Sequence, residues 1–563
     1  MKQCLKSLGA CILFAAAASA QAPSIAGVVN NYSGVSPGLP NYGIAQGSIF
    51  LVIGTNLVPS TSQNTGLQNP PLKTTLNGVT VNVTVSGTTV QCILYYVTTT
   101  QIAAILPSKT PVGTGTLTVA TSSGTSSPAA ITVVQSAFGI LTTNQAGTGL
   151  GQIQDANNNY SLLSYTNAAK PNDYIVLWGS GLGPVTGDET VAQSQTDFGS
   201  QFPIEVDVGG VSATVKYHGR SYYPGLDEVI VVVPPNISGC NVSVVVWHKN
   251  NNLVSNVVTM PVGSGGTCSD PTISVPTSVL TKCATSTCTI GGITVGKTTS
   301  TQQPISVGGI TTGGGTTTSD SIGAYFYKYT PAQFTSGIYG PSTVSVGSCT
   351  VYSFSFSGSS STAPTVPTPT ATLLNAGTIT ATMPTTTVSM PYQNGYYSAG
   401  SSTGAYIPAS GGTFSFSNGS GGPDIGTLSG ASINMGAPLT WSSPPSTVTR
   451  SSGLTVNWTG GNPGTYVTLV GYSMAPVGSS ISSFVGAFFW CTAPQSALSI
   501  NVPATVLLAL PASGSYSVSG FTIPLPGELT LANETNPATF TAPNLDYGYI
   551  GGSYATAEQV TFK

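Results

Sequence analysis

Tyr174-Ile-Val-Leu-Trp-Gly-Ser-Gly-Leu-Gly-Pro184 reads as a buried strand that runs into a forced turn. Ile175 to Trp178 are apolar, and three glycines and a proline then supply the backbone freedom and the stop that a tight turn needs. A weaker copy, Ile49-Phe-Leu-Val-Ile-Gly-Thr-Asn-Leu57, lies earlier. Gly54 and Gly179 stand 125 positions apart, and Pro107 and Pro234, each closing an apolar run, stand 127 apart. Between these landmarks Asn77-Gly-Val79 corresponds to Gly209-Gly-Val211. Near-constant offsets predict a tandem duplication whose insertions fall in loops.

Each copy reads as all-β. In residues 22–135, Ile49 to Ile53, Val79 to Val85, Val90 to Val97, Ile102 to Leu106, Thr116 to Ala120 and Ala130 to Val134 are short β-branched runs broken by Gly, Pro, Asn and Ser. That spacing fits an immunoglobulin-like sandwich, and residues 136–262 repeat the plan. The glycine after the strand, the Gly-Gly-Val turn and the Val-Pro ending resemble immunoglobulin-like domains of the IPT/TIG type. The second copy resembles an uncharacterised C-terminal domain family of exported acidobacterial proteins. The likeness rests on Asn157 to Ser161, Asn167 to Pro184, Val208 to Ala213, Tyr217-His-Gly219 and Ser255 to Thr259, with Trp178 and Asn172 departing from the tyrosine and glycine expected there. The resemblance implies a sandwich fold and a binding or spacer role, with no assigned activity.

Gly263-Ser-Gly-Gly-Thr267 begins an expected linker over 263–271. A β-rich segment is expected over 272–357, a Ser/Thr/Pro-rich connector over 358–372, and a larger β-rich region over 373–563. Met1 to Ala20 has the basic start, apolar middle and Ala18-Ser-Ala20 ending of a secretory signal peptide, with cleavage expected before Gln21. No later run is long enough for a membrane helix. The expected location is therefore secreted, periplasmic or at the cell surface.

Charged residues make up 5% of the chain, and the net charge of −3 offers no polybasic surface, which argues against nucleic acid as a partner. Seven cysteines follow the signal, so at least one thiol is free or pairs between chains. Cys240 and Cys268 bracket two strand-like runs joined by His248 to Asn252, and a hairpin there brings them together. Cys283 and Cys288 lack a nearby histidine and read as disulfide rather than zinc residues, with Cys349 a candidate partner for either.

Catalytic signatures fail on context. Gly291-Gly-Ile-Thr-Val-Gly-Lys-Thr298 matches a phosphate loop, but Thr298 to Pro304 is a poor helix, so a glycine-rich β-turn is expected. Gly34 to Gly38 and Gly400 to Gly404 match a nucleophile elbow without any α/β alternation. Asp155 to Asn159 lacks the glycine and distal glutamate of a calcium loop and reads as a structural turn. Asp207, Asp227 and Glu228 are expected in solvent, and His218 beside Arg220 reads as an ordinary loop histidine. No catalytic residue, cofactor or metal ligand is assigned.

Tyrosines remain as candidate ligand contacts. Tyr222 and Tyr223 fall in an expected loop, and Tyr392, Tyr396, Tyr397 and Tyr406 cluster in a Gly/Ser-rich segment. Exposed tyrosines stack on sugars or anchor protein partners. The expected function is a non-catalytic exported protein with a structural, adhesion or ligand-presentation role, facing an extracellular protein or polysaccharide. A carbohydrate-binding module is the alternative, with a hydrolase ranked behind both.

Overall fold

The computed structural model describes residues 21–59, 63–270, 275–307, 310–335, 344–357, 371–478, 482–518 and 520–563. The signal-peptide reading of 1–20 lies outside the described residues, as do residue 271 of the linker and 358–370 of the connector. The described chain is dominated by β-strands, with short helices at Thr277–Thr285, Pro331–Thr335 and Ala504–Leu507.

The first sandwich packs a sheet of Ser24–Asn30, Ile49–Thr55, Gln101–Ile105 and Ile93–Val97 against one containing Ala129–Val134, Gly113–Thr121 and Thr80–Val85. Alternation does the sorting: in Thr80–Val85 the three valines are buried and the polar residues between them are not. Phe50, Val52, Ile102 and Ala104 from one sheet meet Val81, Val83, Leu117 and Val119 from the other.

The second sandwich repeats the pairing of Ile49–Thr55 with Gln101–Ile105 residue for residue. Phe50 opposite Ala104 and Val52 opposite Ile102 in the first become Ile175 opposite Val231 and Leu177 opposite Val229 in the second. The two sequence offsets thus carry each cross-strand pair onto its counterpart, and the all-β tandem architecture follows. Strand Val211–Arg220 pairs with Ile204–Val208 at its start and with Asp227–Val232 beyond Ala213, so it crosses between the sheets.

The C-terminal half departs from the expected division. One long sheet runs in the order Cys349–Ser357, Ser483–Pro494, Tyr466–Pro476, Gly527–Glu534, Tyr547–Phe562, Cys288–Gln302, Gly315–Tyr329, so strands from both sides of residues 358–372 share it. A sheet of Leu439–Ser442, Leu454–Gly460 and Ser499–Val502 covers one end, and a four-stranded sheet around Ile379–Thr382 and Gly412–Ser417 covers the other. Strand Tyr547–Phe562 serves both cores, with Ile550 and Tyr554 in one and Val560 and Phe562 in the other. The described residues of 275–357 and 373–563 therefore form two sandwiches fused through a common sheet. The reason is long-range pairing, as in Gly292 opposite Tyr549, which composition along the chain does not encode.

Three disulfides stand among the described residues: Cys240–Cys268, Cys283–Cys288 and Cys349–Cys491. Cys349 is a cross-strand neighbour of Cys491, which corrects the pairing with Cys283 or Cys288 that sequence left open. Cys92 is a buried free thiol. The stretch expected as a linker is tied down: Cys268 is bonded, and the buried Asp270 carboxylate accepts from the Cys240 N–H at 3.2 Å and from the Ser345 hydroxyl.

The glycine turn after Tyr174–Ser180 lies at the junction of the two tandem sandwiches. The amides of Gly181 and Leu182 donate to the Asp227 carboxylate at 2.7 and 2.8 Å, and Arg220 Nε donates to its other oxygen at 2.6 Å. Arg220 Nη2 reaches back to the carbonyl of Gly47 in the first sandwich at 2.9 Å. A side chain on Gly181 would meet the Ala137 carbonyl at 2.3 Å, so the turn needs glycine both for its positive φ and for this close approach. On the other side, Val245, Val254 and Val257 of the second sandwich insert into the C-terminal core around Trp458, and Thr505 donates to Asp207 at 2.8 Å.

Candidate functional site

The six tyrosines singled out from sequence separate into different environments. Tyr222 and Tyr223 are exposed, and Tyr223 borders a cavity of about 200 Å³ together with Tyr95 and Tyr96 of the first sandwich. Tyr396 is 46% exposed. Tyr397, its chain neighbour, points the other way into the core, where its hydroxyl accepts from the Ala376 N–H at 2.7 Å and its ring meets Phe326 edge-on. Tyr397 is thus a packing residue, a consequence of the two-residue period of the strand. Tyr392 and Tyr406 are half-buried against the same core.

Tyr396 belongs instead to a row that the local cluster did not reveal. Gly315–Tyr329 buries Ile322, Ala324 and Phe326 on one face and turns Tyr325 and Tyr327 to the other. Tyr325 stands opposite Tyr396 on one neighbouring strand and opposite Gly292 on the next, and Gly292 stands opposite Tyr549. In-register neighbours share a face, so Tyr396, Tyr325 and Tyr549 line up across four strands. A Cβ on Gly292 would lie 2.6 Å from the Tyr325 ring and 2.8 Å from the Tyr549 ring, so glycine is what lets the two rings lean together. Their hydroxyls contact each other, and Tyr327 donates to the Tyr396 hydroxyl at 3.1 Å. Burial pushes the Tyr325 phenol up to about 12 and raises Tyr327 and Tyr549 as well, so all three remain protonated donors at neutral pH.

Gly291 to Thr298 accordingly forms neither a phosphate loop nor the β-turn expected of it. It is the interior of strand Cys288–Gln302, with Gly292 seating the tyrosines and Lys297 on the opposite face, 3.2 Å from Asp320 and bonded to the carbonyls of Gly404 and Ile407.

The carboxylates expected in solvent are buried and occupied. Asp227 is in the junction, Asp207 accepts from Thr505, and Glu228 accepts from Gln195. His218 is buried with Nε2 3.0 Å from the Phe202 carbonyl, and His248 Nε2 accepts from the Phe138 N–H at 2.9 Å. Asp155 caps the turn that follows it by accepting from the Asn157 N–H at 2.9 Å. Among the described residues no three His, Cys, Asp or Glu side chains gather as a metal ligand set, and no helix is long and apolar enough to cross a membrane. The chemistry that the tyrosine row offers is stacking and hydrogen bonding.

No family model and no curated protein matches the chain. Among solved structures it has similarity to SGBP-B from a xyloglucan utilization locus in Bacteroides uniformis, at 9% identity and a TM-score of 0.16, over 84% of this chain and 100% of that one. The extracellular region of plexin A4 matches at 11% identity and a TM-score of 0.16, and the match spans 43% of this chain and only 19% of the plexin. An auxiliary nutrient binding protein from Bacteroides ovatus matches at 12% identity and a TM-score of 0.12, over 40% of this chain and 43% of its own length.

Proposed function

We propose that this is an exported, non-catalytic protein with a structural, adhesion or ligand-presentation role at the cell surface or outside the cell, built on tandem IPT/TIG-type sandwiches. The observation that carries the reading is how the successive sandwiches are joined. The Arg220–Asp227 pair binds the first sandwich to the second, and the Val245, Val254 and Val257 side chains bind the second to the rest. A buried ion pair aimed at a neighbouring backbone fixes orientation, which suits holding a surface at a distance from an anchor point. Disulfides at Cys240–Cys268 and Cys349–Cys491 suit an oxidising compartment. Cell fractionation with N-terminal sequencing tests the reading. A mature chain starting at Gln21 outside the cytoplasm is expected, with loss of surface attachment when the protein is deleted. An uncleaved cytoplasmic protein overturns it.

A further inference from the structure

We propose that the outward face of the sheet containing Tyr396, Tyr325 and Tyr549 binds an uncharged polysaccharide. The inference rests on the exported, ligand-presenting reading above and gives it a ligand class and a site.

Three features of the face converge on that occupant. The first is the aromatic row itself. Across four strands it extends roughly 14 Å at about 4.8 Å per strand, the scale of a short run of sugar units. Tyr396 is open to solvent at one end, whereas Tyr325 and Tyr549 are half-buried and braced over Gly292, where the face runs into the core that Tyr329 and Tyr547 form with the helix Thr277–Thr285. Rings held in this way lose little conformational freedom on binding.

The second feature lies beside the row. Continuing along the same face, the outward residues are Gly323, Thr294, Ser398 and Gly551, in register with one another. Thr294 and Ser398 are exposed. Small residues leave a flat floor next to the raised rings, and the two hydroxyls on it both donate and accept, as sugar hydroxyls require.

The third feature is charge. On Cys288–Gln302, Gly315–Tyr329 and Tyr396–Ser401 no charged side chain shares the tyrosine face, because Lys297, Asp320 and the exposed Lys328 occupy the alternate positions on the opposite side. Lys282 and Asp546, near the start of Tyr547–Phe562, are paired with each other. An anionic polymer would find no cation here, and a peptide partner would find none of the arginines that usually anchor such contacts. A neutral, hydroxyl-rich chain complements the face.

Affinity electrophoresis of the purified mature chain, through gels containing neutral glucan, mannan or xylan and parallel gels containing anionic pectin or alginate, provides the test. At least one neutral polysaccharide should retard the wild type, and Tyr396→Ala should weaken retardation about tenfold or more. Tyr222→Ala with Tyr223→Ala, on a distant loop, should leave it unchanged. Tyr396 is exposed, so its variant is expected to fold, and matched thermal melts establish that. Absence of retardation by every neutral polysaccharide, retardation by the anionic gels alone, or retardation indifferent to Tyr396→Ala each overturns the proposal. Because the assay uses purified protein, its failure is separate from failure of the export reading, which fractionation decides.

Discussion

His248 is held neutral by burial, with His218 nearby adding to the effect. Its Nε2 takes the Phe138 N–H, and burial pushes its pKa down to about 3, against about 6.5 for an exposed histidine. Because the folded value is depressed, its contribution to stability is complete above pH 6.5 and is lost as pH falls towards 3. The loss should be on the order of 3 kcal/mol at pH 4. His248→Gln, which keeps an acceptor, should flatten the decline in melting temperature between pH 6.5 and pH 4. Glu534 runs the other way. Burial beside the Thr468 hydroxyl raises it to about 7, so its contribution is complete below about pH 4.5 and disappears as pH rises through 7. Glu534→Gln should therefore raise the melting temperature at pH 8 and leave it nearly unchanged at pH 4. A thermal melt series across pH reads both, and neither environment can be read from sequence, because the partners come from distant strands.

Strand Cys288–Gln302 shows where reading along the chain stops working. Its glycines match a nucleotide-binding pattern and also suggest a turn, yet Gly292 lies mid-strand because Tyr325 and Tyr549 need the space above it. Gly292→Val should force the rings apart and cost about 1–3 kcal/mol in denaturant unfolding. It should also reduce tyrosine-row binding more than Thr289→Val, a substitution on the other face of the strand. Local signals did carry the elements whose partners are near. The Gly-Ser-Gly-Leu-Gly turn, the Gly209–Gly210 turn and the hairpin that brings Cys240 to Cys268 are all set by a few adjacent residues. Tyr397 was misplaced for the opposite reason: a cluster of tyrosines counted along the chain ignores that strand neighbours face opposite sides.

At the scale of the molecule, the tandem repeat was legible as two offsets, whereas the fused C-terminal sandwiches were not. Their shared sheet depends on pairings such as Cys349 with Cys491 and Gly292 with Tyr549, for which no nearby turn sets a register. The junctions were equally hidden. Arg220 drew notice only as the neighbour of His218 and is a buried cation spanning Asp227, Gly183 and Gly47. Arg220→Ala leaves Asp227 buried without its cation and should cost about 3–5 kcal/mol. It should also release the first sandwich before the second, splitting one denaturant transition into two.

That the sandwiches act as one rigid presenting body is the claim on which the functional account depends. Small-angle X-ray scattering of the mature chain, wild type beside Arg220→Ala, tests it most directly. The account predicts a wild-type profile described by a single arrangement and insensitive to salt, broadening in the variant. A wild-type profile that requires many orientations of the first sandwich would contradict it.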